Sequence, residues 1–350
     1  MSEPPAPGPN SQRLDPSRIV DVGSGFWRSK TLLSAVELEV FTRLGGESMT
    51  GDQLAANLGL HPRATWDFLD ALVALGFLDR AGEGRDARYA NTEETAEFLD
   101  KKSERYIGVI LEMFNARSYR LWDDLTEVLT TGKPSRVIEP MGRPIFDKLY
   151  SDPAMREQFL DVMAGISLRS VHALAERFDF SQYATLCDVG GATGQLAVVV
   201  ASRHPHLRCT SFDLPIIEPI ARKTIEDAGL SHRIATAAGD FFKDPLPRAE
   251  VITMSMILHD WNLPKKMQLI KAAYDALPRG GAFVTVEHLI DDARRVSVFG
   301  LMMSLNMLVE VGDGFEFTAS DFAAWCGEVG FRDVEVLALA GPASAAVAYK

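Results

Sequence analysis

Four short runs in the C-terminal half of the chain place polar side chains at the ends of predicted strands. The first, Asp188-Val189-Gly190-Gly191-Ala192-Thr193-Gly194, ends a strand and runs into a helix opening at Gln195. Glycines there let the backbone turn sharply and approach a ligand closely beside a helix N-terminus. The D-x-G-G-x-x-G spacing is not the G-x-G-x-x-G of a dinucleotide loop and lacks the Gly-Lys-Ser/Thr of a Walker loop, so alone it indicates only a nucleotide-like ligand. Twenty-five residues after Asp188 comes Phe212-Asp213-Leu214-Pro215. A carboxylate at that strand tip reaches ribose hydroxyls, although an Asp after a strand also serves as a helix cap. In Gly239-Asp240-Phe241-Phe242, Asp240 can accept from an adenine amino group and Phe241 can stack on its ring. The fourth run is Ser255-Met256-Ile257-Leu258-His259-Asp260-Trp261. Four such signals in order, with no phosphate-binding lysine or cationic cluster, point to an adenosine ligand without a polyphosphate.

His259 is the acid–base candidate. A histidine in a chain with seven is usually a surface or satisfied core residue, but this one ends the fourth predicted strand, where ligands bind in open α/β sheets. Its ordinary titration near neutrality suits removal of a phenolic proton. Glu316 can accept from one ring nitrogen and leave the other for a substrate, the orienting arrangement of catalytic triads. A metal reading would need His259, Asp260, Glu287 and His288 to converge. Neighbours on a strand face opposite ways, so Glu287 and His288 should not share a site, and no metal is expected. Asp291 and Asp292 read as a solvated loop.

These tips must be carried by a sheet. TLCDV, LRCTSFD, HRIATAAGD, EVITMSMIL and AFVTVEHL alternate with helical stretches such as QLAVVVASRH and KKMQLIKAAYDAL, which predicts a parallel α/β sheet covered on both faces. Cys187 and Cys209 fall in the first two strands as buried apolar groups. Upstream, residues 1–17 are a Pro-, Ser- and Gly-rich tail expected to be disordered. A helical stripe follows, carrying Phe26, Leu32, Leu33, Val36, Val40, Phe41 and Leu44. Then come a short helix, a turn at Gly59, a helix from Pro62, a stop at Gly76 and a polar hairpin: the winged-helix pattern. Residues 18–105 are therefore a winged-helix-like domain, 106–178 a helical connector and lid broken at Gly132–Pro134 and Pro140–Pro144, and 179–350 the ligand-binding domain.

Charge decides between uses of the winged helix. Residues 51–90 carry four basic side chains against six acidic ones, and the would-be recognition helix presents Trp66, Phe68, Leu69, Leu72 and Leu75. A phosphate-docking surface does not look like this, so a structural or dimerising role is expected. Across all 350 residues, 36 Lys and Arg stand against 48 Asp and Glu, a net charge of −12 that also disfavours nucleic acid as partner. The longest glycine-free apolar run, LAVVVA at 196–201, is too short to span a bilayer. The N-terminus lacks a signal-peptide pattern. Three cysteines without C-x-x-C spacing fit reduced thiols. A cytoplasmic protein is expected.

LCDVGGATG, FDLP, AAGDFF, LHDW and the glutamates of TVEHL and GFEFT together resemble S-adenosylmethionine-dependent O-methyltransferases. The type is the two-domain one of plant phenylpropanoid and bacterial polyketide or phenazine (antibiotic) pathways, and the likeness runs from about residue 20 to the end. It implies a C-terminal Rossmann-like methyltransferase sheet, an α-helical winged-helix-like N-terminal domain forming an interlocked homodimer, and S-adenosyl-L-methionine as cofactor with S-adenosyl-L-homocysteine as product. Cofactor contacts are implied for Ser167, Asp188, Gly190, Gly191, Gly194, Asp213, Leu214, Gly239, Asp240, Phe241 and Ser255. Plant members carry a lysine where Ser255 stands. His259 matches the base and Glu287 and Glu316 its two flanking acids. A small aromatic or polyketide-like hydroxyl acceptor is implied. Its weaker pocket candidates are Met113, Asn115, Trp122, Phe146, Met163, Met256, Met303, Asn306 and Met307, methionine-rich walls being adaptable. Phe26 and Trp27 are placed to reach a partner subunit's pocket. C-methylation of a keto acid or activated ring carbon, hydroxylation on the same scaffold, and a winged-helix DNA-binding regulator are the alternatives.

Overall fold

The structure is a computed structural model that describes residues 14–136 and 152–350, with only the backbone of Ala154, Met155 and Gln158. The chain divides into two compact units, 1–116 and 117–350, so the division falls within the stretch expected to be a connector.

In the first unit, α1 (Ser17–Gly23), α2 (Gly25–Glu37) and α3 (Val40–Leu44) lead into β1 (Met49–Thr50), α4 (Gly51–Leu58), α5 (Pro62–Ala74), the antiparallel hairpin β2 (Leu78–Ala81) and β3 (Arg88–Asn91), α6 (Glu93–Phe98) and α7 (Gly108–Met113). The helix, turn, helix and hairpin stand in the order read from the sequence. Thr50 caps α4 through a reciprocal capping box with Gln53, and Pro62 opens α5. Leu33, Val36, Val40, Phe41, Leu44, Leu54, Leu69 and Leu72 form its core. Phe26, expected on the same buried stripe, is 53% exposed. The stripe is not one continuous helix: Glu39 turns left-handed between α2 and α3, and α2 buries only Leu33, Ala35 and Val36. Ile19, Val20, Val22 and Trp27 are exposed with Phe26.

The second unit opens with α8 (Tyr119–Leu121), α9 (Leu125–Thr131) and the long α10 (Pro153–Arg177). The break at Gly132 is present; Pro140–Pro144 lie outside the described residues. The sheet then uses β4 (Thr185–Val189), β5 (Arg208–Asp213), β6 (Ile234–Ala238), β7 (Val251–Ser255), β8 (Ala282–Glu287), β9 (Asp333–Ala338) and β10 (Ser344–Tyr349) in the order β6-β5-β4-β7-β8-β10-β9. Strands β4 to β8 are parallel as predicted. The sheet is not wholly parallel, because β10 lies antiparallel between β8 and β9. Helices α11 (Gln195–Arg203), α12 (Glu218–Asp227), α13 (Leu263–Ala276), α14 (Val298–Glu310) and α15 (Ala319–Val329) complete the unit. Two apolar layers flank the sheet: Val284 and Val286 of β8 join Leu174, Leu196 and Val200 on one side, while Phe283 joins Leu269, Ile270 and Phe322 on the other. That alternation is the period-two signature of a strand buried on both faces. Strand order reverses between β4 and β7, so the loops after these strands flank the crevice where α/β sheets bind ligands.

Candidate active site

The four sequence runs converge at this crevice. The amides of Gly190 and Gly191 donate to Phe212 O, at 2.9 and 3.2 Å, and Gly239 N donates to Asp213 O at 2.9 Å. Asp213 then spans the gap with its side chain, accepting from Ala192 N (2.8 Å) and Leu214 N (2.7 Å). Gly190 has φ +71, and a Cβ there would overlap Cδ1 of Ile257 and meet the Phe241 ring at 4.0 Å. Run four thus crowds a backbone atom of run one, and the left-handed φ there favours glycine. Asp188 lies near the end of β4, at the start of this loop: it is buried, accepts from Thr253 Oγ1 at 2.7 Å, and burial pushes its carboxyl up to about 7. Gly194 caps α11 in a left-handed conformation. Asp240 accepts from Phe242 N at 2.9 Å and pairs with Lys243 at 2.6 Å; Phe241 packs edge-on against Phe242. Ser255 ends β7, and Ser167 is half-buried on α10.

Strand β7 stops at Ser255, earlier than the sequence reading had it. Met256 then turns left-handed (φ +55), with its amide donating to Val286 O at 2.9 Å. This non-glycine strain is of the kind that collects at functional turns. The chain then enters a single 3₁₀ turn, Leu258–Asp260, that carries His259. Oε1 of Glu287, at the end of β8, pins this turn by accepting from Leu258 N at 3.0 Å and from Thr285 Oγ1 at 3.1 Å. Nδ1 of His259 stands 2.9 Å from Oε1 of Glu316 and 3.7 Å from Oε2 of Glu287. An ionised carboxylate only accepts, so Nδ1 carries a proton and Nε2 is left to take another. Nε2 lies 3.5 Å from Asp260 Oδ1, beyond a good hydrogen bond. Gly314 permits this approach, since a Cβ there would fall 2.6 Å from His259 O.

Burial alone would strip the proton from His259, but Glu287, Asp260 and Glu316 outweigh it and push the imidazole up to about 10. Burial pushes Asp260 up to about 6 and also raises Glu287, while His259 holds Glu316 down against its own burial. His288 also approaches Glu316, its Nδ1 at 3.7 Å from Oε1. The expectation that Glu287 and His288 must face apart fails because β8 ends at Glu287 and strand alternation no longer applies. Ligand-capable atoms of His259, Glu287 and Glu316 lie within 4.8 Å of one another, close enough for a cation. Nδ1 and Glu287 Oε1 already make hydrogen bonds, while Glu287 Oε2 and Glu316 Oε2 are buried without a hydrogen-bond partner among the described residues. Asp291 does more than sit in solvent: it accepts from the amides of Arg295, Val296 and Ser297, and Asp292 accepts from Ser320 N.

Residues 122–332 match the family model of the O-methyltransferase domain, and residues 20–101 match that of the O-methyltransferase dimerisation domain. This chain belongs to the O-methyltransferase family. The tetracenomycin polyketide synthesis 8-O-methyl transferase TcmO of Streptomyces glaucescens is 37% identical over 342 residues, 98% of this chain and 99% of TcmO. The N,N-dimethyltransferase OxyT of Streptomyces rimosus is 34% identical, over 90% of each chain. The crystal structure of human N-acetylserotonin methyltransferase in complex with SAM superposes with a TM-score of 0.86 at 29% identity, covering 97% of this chain and 99% of that one.

In this O-methyltransferase the acceptor-pocket candidates divide. Trp122 Nε1 donates to Asn306 Oδ1 at 2.8 Å, and Asn306 Nδ2 donates to Glu310 Oε1 at 3.2 Å, so two candidates form one network on α14. Met303 and Met307 share that helix, Met307 being buried; Met163 is half-buried on α10. Met113 and Asn115 lie in the first unit, where the Asn115 amide already pairs with Lys30 and Glu37. Phe146 lies outside the described residues. Sequence reasoning missed Glu310, which ion-pairs with Arg117 at 2.9 Å, and Lys266, which is wholly buried. The second had a signal: Lys266 lies at helical spacing with Leu269, Ile270 and Ala273, on the buried face of α13.

Proposed function

We propose that the chain transfers a methyl group to the hydroxyl of a small aromatic or polyketide-like acceptor, with S-adenosyl-L-methionine as cofactor and His259 as general base. The observation that carries this is the His259–Glu316 pair, held at the switch point of the sheet beside the glycine loop. When bound, the cofactor supplies a methyl group on a sulfonium centre and leaves as S-adenosyl-L-homocysteine. Gly190, Gly191 and Gly194 would let backbone approach it, Asp213 and Leu214 would hold its ribose, Gly239, Asp240 and Phe241 its adenine and Ser167 its amino-acid end, with Ser255 as a further contact. The site fits an adenosine group, since the Gly190 cradle admits no Cβ and Asp213 keeps lone pairs beyond its two amide bonds.

Glu316 fixes the ring so that Nε2 takes the acceptor's proton. The carboxylates that raise the imidazole to about 10 keep it protonated at neutral pH, so the free form that accepts the acceptor's proton grows as pH rises toward 10. One proton is then shared between acceptor oxygen and ring, and positioning sets the rate.

Residues 18–105 read as the dimerisation domain, with the exposed row Ile19, Val20, Val22, Phe26 and Trp27 as the apolar surface a second copy covers. Residues 106–178 read as the lid and 179–350 as the cofactor domain. Among the described residues no helix is long and apolar enough to cross a membrane, in keeping with a cytoplasmic enzyme. The test is label transfer from methyl-labelled cofactor to a panel of phenols, naphthols, keto acids and amines, with product analysis. Methylation only at carbon or nitrogen overturns the hydroxyl assignment.

A further inference from the structure

We propose that Lys266 is a positioning residue for methyl transfer, clamping the turn that carries His259 to the segment that carries Glu316. The inference rests on the reading of His259 as the base.

The ammonium of Lys266 donates to Trp261 O at 2.6 Å and to Phe315 O at 2.8 Å. Trp261 lies two residues beyond His259, and Phe315 immediately precedes Glu316. One side chain therefore fastens both backbones whose separation fixes the 2.9 Å contact between base and carboxylate. Nζ also lies 3.7 Å from the centroid of the Phe315 ring, where a cation is attracted to the aromatic face.

Hydrogen bonding alone does not explain a lysine here. Two carbonyls could be tied by a neutral donor, and a buried ammonium is costly unless its charge is balanced. Among the described residues no carboxylate lies within ion-pair distance of Nζ, and burial pulls the ammonium down to about 8, with Glu287, Glu316 and Asp260 opposing it only in part. The acidic cluster of the base is the charge that partly offsets its burial. The groups facing that cluster are His259 and Asp260 on the 3₁₀ turn, Glu287 and His288 at the end of β8, Glu310 on α14, Glu316 on the following segment and Lys266 on α13.

Lys266 loses its charge before His259 frees its base, so what a substitution removes is the clamp and not a fixed charge. Lys266→Met unfastens both backbones and should lower kcat about 10- to 100-fold while the acceptor KM and the cofactor Kd stay within about twofold. Lys266→Arg keeps a donor for both carbonyls and should recover most of kcat. Lys266→Gln keeps a shorter two-handed donor and serves if the Met variant does not fold; its kcat should fall between those of the Arg and Met variants. A folded Met or Gln variant with wild-type kcat, or one that changes only the KM values, overturns the proposal. His259→Ala runs in the same assay: turnover surviving there defeats the base reading, whereas wild-type kcat in the Lys266 variants with His259→Ala inactive defeats only the role of Lys266.

Discussion

The imidazole of His259 and the carboxylate of Glu316 meet at 2.9 Å although they are 57 residues apart in the chain. The Glu316 backbone is fixed independently: its amide donates to Ser304 Oγ at 3.2 Å, and Ile290 N donates to Phe317 O at 2.9 Å. The carboxylate is held by the scaffold before any substrate arrives, as an orienting group must be.

Glu316→Gln keeps an acceptor oxygen but removes the charge. Loss of a negative neighbour lowers the affinity of His259 for its proton, so the rising limb of kcat against pH should move to lower pH while its plateau falls about 10- to 100-fold. A pH–rate profile of the variant whose limb stays in place would contradict it.

Stability should fall as pH rises. His259 titrates at about 10 when folded against an ordinary 6.5, so its contribution is fully present below pH 6.5 and is lost as pH rises through 10. Asp260 and Asp188, raised to about 6 and about 7 from 3.8, lose theirs over a lower window. Thermal unfolding between pH 6 and 8, below the range in which the depressed Lys266 titrates with the opposite sign, should show a declining Tm, and His259→Asn should flatten the part above 6.5. Equal slopes in both proteins would count against the shifted histidine.

Two glycine substitutions should separate cofactor binding from chemistry. Gly190→Ala places a Cβ against Ile257 at a left-handed φ and should cost about 1–3 kcal/mol of stability and weaken S-adenosyl-L-homocysteine binding at least tenfold. Gly314→Ala pushes on His259 O and should cut kcat while leaving that affinity nearly unchanged. Calorimetric titration with S-adenosyl-L-homocysteine, set beside turnover, checks both.

Asn306→Ala removes the acceptor of the Trp122 indole N–H and the donor to Glu310. If this network shapes the acceptor pocket, the acceptor KM should rise about 5- to 50-fold with the cofactor KM unmoved, a loss of order 1–2 kcal/mol. Equal changes in both KM values would place the network elsewhere.

The strand tips were legible because each pairs a special backbone requirement with a polar side chain, as Gly190 and Asp213 show. The hairpin of β9 and β10 was not. SAAVAY is half alanine with one valine and one tyrosine, and DVEVLA sets its two valines against two acids, so each offers only a weak strand signature. Pairing of β10 to β8 and to β9 makes it a strand, and that is a tertiary fact. Lys266 hid in a pair of lysines that reads as a solvated face, although its spacing from Leu269 and Ile270 marked it as inward. Phe26 erred the other way, because helical spacing does not show where a helix is interrupted.

The placement of β10 also bears on synthesis. Strand β8, which ends in Glu287, has one neighbour in β7, while the other is made only when residues 344–349 emerge, downstream of every site residue. Until then β8 is a bare sheet edge on the flank away from β7, open to wrong pairing. A nascent chain long enough to hold His259, Glu287 and Glu316 therefore carries its site beside an unprotected strand until the closing strand arrives.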